Sequence, residues 1–189
     1  MDIREHSLAL ISVVIGLGLT SLLGCFNRLM RRRRELRWNA LPLTWAFIAL
    51  LMVLNYWWGI YLGQVAAMAV PNVGTFMLAL AFPILLYLIC AAALPDVHAL
   101  RVHHGDLLAV YFAESRYFFT LIVLYVIATG WATAVHAGSF HWNEHMWMRL
   151  AIVCFCLPLP WTRRLLLHWS AAAVMLAIMV YVLFEAALH

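Results

Sequence analysis

The chain has 189 residues, 67% of them hydrophobic and only 11% charged, whereas soluble domains are about a quarter charged; this excludes a soluble globule and makes the protein integral to a membrane. Its formal net charge of +4 comes from arginine alone. With no lysine amine in the chain, retinal and pyridoxal Schiff-base chemistry are excluded, and the clustered arginines point to anionic lipid headgroups and away from nucleic acid.

Met1 to Ser7 lacks the basic start and small-residue cleavage site of a removable signal peptide, so the first apolar run is expected to stay in the mature protein. Six apolar runs, near 8–30, 41–63, 71–94, 117–137, 146–162 and 165–187, are long enough or nearly so to cross a bilayer, which takes roughly 20 helical residues. The expected fold is therefore an all-α integral membrane protein, a single domain over 1–189 with six transmembrane helices and no soluble domain. In the first run Ser12, Gly16, Thr20 and Gly24 recur four apart. On a helix they form one ridge of small side chains, suited to close helix packing or to lining a narrow water-filled path.

Arg28, Arg31, Arg32, Arg33, Arg34 and Arg37 follow at once, and such a cluster holds a helix end on the cytoplasmic side. If that loop is inside, so are the segment from Pro95 to Arg116 and the turn with Arg163 and Arg164. Ten arginines then lie inside, with only Arg4 and Arg149 outside. Both termini are accordingly expected outside, in the periplasm of a bacterial inner (cytoplasmic) membrane. Arg31 to Arg34, and Arg116 before the aromatic run Tyr117 to Phe119, are expected to bind lipid phosphates.

Asn39 is the expected N-cap of span two, with Pro42 tolerated in its first turn. The span ends in Tyr56, Trp57, Trp58 and Tyr61, the residue types that the headgroup interface selects. Asn55 lies beneath that belt, and the short hairpin back to span one predicts that it touches Gly16. Such an asparagine either bonds across to another helix or belongs to a site. Pro83 interrupts span three and frees the Ala79 carbonyl from its helical donor. Gly105 and Asp106 read as a turn and an N-cap, so the helix of span four is expected to begin at Leu107. Span five is short and broken by Pro158 and Pro160. Glu185 ends span six, where it reaches water or, if deeper, serves a proton relay.

Gly16 to Thr20 with the arginines that follow, then Trp57, Trp58 and Gly59, then Tyr111, Phe112, Arg116, Phe118 and Phe119 together resemble a group of small bacterial inner-membrane proteins. The resemblance covers about the first two thirds of the chain. It implies a six-span membrane fold and brings no functional residues, since no activity is assigned to that group.

On the outer side the topology gathers His136, His141, Glu144 and His145. A short helix would put His141 and His145 on one face, able to hold zinc or copper with His136 or Glu144, or to sense pH. The string from His141 to His145 also fits an H-x-x-E-H peptidase pattern, but a short loop supplies neither the further carboxylate ligand nor the folded domain of those enzymes. On the inner side His98, His103, His104 and His168 are too few for the histidine boxes of di-iron membrane enzymes. His136 and His168 lie near opposite faces, which argues against a haem held between them. No nucleophile and base pair can be assembled on one side, and an enzyme ranks last. The four cysteines are expected as free thiols. The leading expectation is a small homo-oligomeric channel or transporter for an ion or small solute, with Ser12, Gly16, Thr20 and Asn55 along the path. The alternative is a metal-binding or pH-sensing accessory protein using the outer histidines. No resident cofactor is expected beyond such a zinc or copper ion.

Overall fold

A computed structural model describes residues 3–61, 73–136 and 144–188. These are all-α: α1 (Ile3–Arg31), α2 (Ala40–Tyr61), α3 (Val73–Ala92), the short α4 (Val97–Val102), α5 (Leu107–His136), α6 (Glu144–Cys156) and α7 (Leu165–Leu188), with one 3-10 turn, Leu159–Trp161, after α6. Among the described residues, four stretches are long and apolar enough to cross a membrane: Leu8–Arg31, Ala40–Ile60, Leu107–Ala134 and Leu165–Glu185. Of the six runs named from sequence, the other two supply shorter apolar helices, Phe76–Ala92 and Met146–Trp161. The surface is apolar where a soluble protein would be polar: Leu166 is 85% exposed and Trp131 71%, as side chains facing lipid are.

Local chemistry sets the helix starts. The Asn39 carboxamide oxygen accepts the Leu41 backbone N–H at 2.9 Å, and Asp106 accepts from Leu108 and Ala109 at 2.9 and 3.2 Å; each satisfies N–H groups that the first helical turn cannot. Leu107 therefore opens a helix of 30 residues. The two arginine-end loops are tied together, because Arg37 donates its backbone N–H to the Gly105 carbonyl at 2.9 Å and accepts from Leu107 at 3.4 Å. Gly105 has φ +77°, and a Cβ there would come within 2.6 Å of the Glu35 carbonyl oxygen, so the loop tie requires glycine.

α1 lies mainly along α3, while α2, α5, α6 and α7 pack on one another. The close approach of α1 to α3 is at Gly18, where an added Cβ would sit 3.1 Å from the Tyr87 Cα. Gly18 is off the ridge marked in the sequence. An added Cβ at Gly16 would meet nothing within 4 Å, so the expected contact of Gly16 with Asn55 is not made. Pro83 is buried inside a continuous α3. Cys25, Cys90, Cys154 and Cys156 are free thiols, as expected.

Candidate functional site

α2, α5, α6 and α7 enclose two different regions, one above the other. At the arginine end they are closed. Trp45 on α2 packs edge-on against Phe118 and Phe119 on α5, with ring centroids 5.8 and 4.8 Å apart. Trp45, Phe119, Leu159 and His168 are fully buried. His168 is held at both ring nitrogens: Nε2 lies 3.0 Å from the Thr162 carbonyl oxygen, and Nδ1 lies 2.7 Å from the Tyr111 hydroxyl. A carbonyl only accepts, so Nε2 carries a proton, and in the neutral ring Nδ1 accepts from the Tyr111 hydroxyl. Both ring nitrogens are thus engaged by hydrogen-bond partners.

Seven residues along a helix are about two turns, or about 10 Å, and return to nearly the same face. Moving seven residues away from the arginine end takes Trp45 to Met52, Phe118 to Tyr125 and His168 to Met175. Seven residues back along the chain from Leu159 lies Ile152. Those four destinations all line a partly open cavity of about 210 Å³. α2 adds Asn55; α5 adds Val126 and Thr129; α6 adds Met148 and Arg149; α7 adds Ile178, Met179 and Val182. The layers between are sealed by Ile48, Ile122, Cys156 and Ala172, each at most 1% exposed. The same four elements therefore form a dry aromatic plug at one end and a hollow at the other.

Arg149 gives the hollow its charge. Its aliphatic stem crosses α5 at Gly130, where an added Cβ would lie 3.6 Å from the arginine Cδ. Its Nη1 donates to the Thr133 hydroxyl and approaches the Met146 sulfur at 3.9 Å. Thr133 can accept because its own hydroxyl proton is directed to the Gly130 carbonyl at 2.9 Å. Tyr125 and Arg149 both line the cavity. The Tyr56 hydroxyl is buried without a hydrogen-bond partner among the described residues, an uncommon condition for a buried polar atom.

Of the residues singled out in sequence, Asn55 alone lies in this cavity. Ser12 and Thr20 turn their hydroxyls to the carbonyls four residues back, Leu8 and Gly16, both at 2.7 Å. Gly24 meets only the Arg28 side chain, and the ridge faces away from the interior. Glu185 is half-buried near the end of α7, one turn past Val182. Arg31, Arg33, Arg34 and Arg116 are exposed and Arg32 is half-buried. Glu114 and Arg116, two apart on a helix, point in different directions. Arg116 is exposed, whereas Glu114 lines a small hollow of about 10 Å³ with Tyr111, Pro42 and Pro95, near the least volume that holds one water. His141 lies outside the described residues, as do the side chains of His136, Glu144 and His145. Among the described residues no group of three or more metal-ligating side chains converges.

Sequence reading missed Arg149 as a site residue, having counted it only as an outer charge. The seven-residue offsets were present in the chain, but without knowing which helices are neighbours they carry no signal. Comparison with protein-family models, curated proteins and solved structures finds no significant match. The site is therefore read on its own chemistry.

Proposed function

We propose that this chain is a six-span protein of a bacterial inner membrane, with its arginine-rich end in the cytoplasm and both termini outside, that works as a carrier for a small solute. The observation that supports this reading is the stacking of a polar-edged cavity on a sealed aromatic plug within one set of four helices. A channel needs a continuous path, whereas a carrier exposes its site to one side while the other is shut, with discontinuities in the membrane helices near it. The proline break after α6, with its 3-10 turn, is a discontinuity on the plug side, seven residues beyond the cavity-lining Ile152. The solute site is placed at Asn55, Tyr125 and Arg149, and no longer along the outward-facing ridge of α1. That ridge is free to pack against a second copy of the chain, as a homo-oligomer would require.

Transport is tested by uptake of radiolabelled small ions and solutes, organic anions included, into proteoliposomes. Saturable uptake of at least one solute, lost in Arg149→Leu protein that still melts cooperatively, supports the reading. Uptake absent for every solute, or unchanged in Arg149→Leu, overturns it.

A further inference from the structure

We infer that the cavity binds a small aromatic monocarboxylate, its carboxylate against the Arg149 guanidinium and its ring among Met52, Met148, Met175 and Met179. This rests on the site named above and is independent of whether the bound molecule is moved across the membrane.

Charge fixes the sign of the ligand. A guanidinium is always protonated and offers five donors in a planar fork. Among the described residues, the side chains that Arg149 hydrogen-bonds, Thr133 and Met146, are both neutral. Arg149 is half-buried and lines the cavity; a cation partly withdrawn from water is stabilised when an anion faces it, and a carboxylate matches the fork through two parallel hydrogen bonds. The same guanidinium argues against the other chemistry that the walls suggest. Thioethers suit Cu(I), but a positive metal ion beside a fixed positive charge is repelled in a low-dielectric hollow.

Volume and wall chemistry fix the rest. An apolar cavity of about 150 Å³ accepts benzene. The cavity here, about 210 Å³, exceeds that by roughly two water volumes of about 30 Å³ each, which is room for one carboxylate on one ring. Four of the residues that line it are methionines. Methionine sulfur makes favourable contacts with aromatic ring edges and adapts its shape to them, so the walls favour a flat ring over an alkyl chain. Asn55 and Tyr125 also line the cavity, and their side chains are of the type that hydrogen-bonds a carboxylate or a ring substituent.

The test is equilibrium binding of radiolabelled benzoate to the full chain in lipid nanodiscs, with competition by three unlabelled compounds. Benzamide keeps the shape and removes the charge; cyclohexanecarboxylate keeps the charge and removes the aromatic ring; octanoate stands for a lipid-derived carboxylate. The expected result is saturable benzoate binding, with benzamide roughly 30-fold weaker or worse and cyclohexanecarboxylate roughly 3- to 10-fold weaker. Octanoate is expected to compete less well than benzoate. Arg149→Gln should lose benzoate binding and Arg149→Lys should keep part of it, since lysine retains the charge but not the fork. No benzoate binding, equal binding of benzamide, or a preference for octanoate overturns the inference. Those comparisons need only the wild-type chain, so misfolding of a variant does not blunt them. Cu(I) displacing benzoate from the site would likewise count against it. Benzoate binding without uptake would retain this inference and reject the carrier. Uptake of another solute by protein that does not bind benzoate would do the reverse.

Discussion

The two ends of the four-helix unit use the same backbone elements and opposite chemistry. At the arginine end, Trp45, Phe118, Phe119 and Tyr111 fill the space, and the His168 ring nitrogens are both matched by hydrogen-bond partners. Two turns away, the positions related to Trp45, Phe118 and His168 carry Met52, Tyr125 and Met175, which leave a hollow with a cation in its wall. Within the plug His168 is matched at both nitrogens, although the Trp45 Nε1 is buried there without a hydrogen-bond partner among the described residues; the cavity has Asn55, Tyr125 and Arg149 in its lining. A helix bundle in lipid gains little from burying apolar surface, because the surrounding tails are as apolar as its own side chains. Stability must therefore come from dense packing of the kind the plug has, and a hollow is a departure that calls for a functional reason.

The sharpest way to separate the two ends is to truncate one side chain in each. Trp45→Ala removes a fully buried indole that contacts two phenylalanines and is expected to cost about 3 kcal/mol, the lower end of the range for such truncations. Met179→Ala trims a partly buried wall of the hollow and is expected to cost less than about 1 kcal/mol. Thermal unfolding in a fixed detergent compares them. Equal losses would mean that the hollow is packed as tightly as the plug.

A smaller effect contrasts the two faces of α1. Gly18→Leu forces a side chain against the Tyr87 backbone, 3.1 Å from the new Cβ, and is expected to destabilise by about 1–3 kcal/mol. Gly16→Leu, with nothing within 4 Å, is expected to stay within about 0.5 kcal/mol in the monomer. If Gly16→Leu instead removes an oligomer seen by native mass spectrometry, the outward ridge is where copies of the chain meet.

What could be read from sequence follows the range of the interaction concerned. Asn39 and Asp106 were legible as caps because a side chain bonding an N–H two or three residues ahead is a local event. The long apolar spans and the exposed arginine cluster were legible because lipid imposes length and charge on every helix alike. The face that α1 buries was not. All its faces are apolar or small, so the spacing-four ridge looked like a contact while the contact lies at Gly18, two residues away from Gly16. Asn55 was rightly marked as a polar group within a span, yet its neighbours on α5, α6 and α7 could not be known from the hairpin to span one. Arg149 was hidden for the same reason. Near a helix end it reads as an exposed charge, and only the packing of α6 against α5 and α7 brings it into the cavity lining.

The most direct measurement of the contrast between the two ends is thiol accessibility to a membrane-impermeant sulfonate reagent added outside intact cells or right-side-out vesicles. In a background with Cys25, Cys90, Cys154 and Cys156 replaced by alanine, a single cysteine is placed at Met179 in the hollow or at Leu159 in the plug. The account predicts fast labelling at 179, slowed by benzoate, and no labelling at 159. Labelling at 159 as fast as at 179, or none at either, would contradict it.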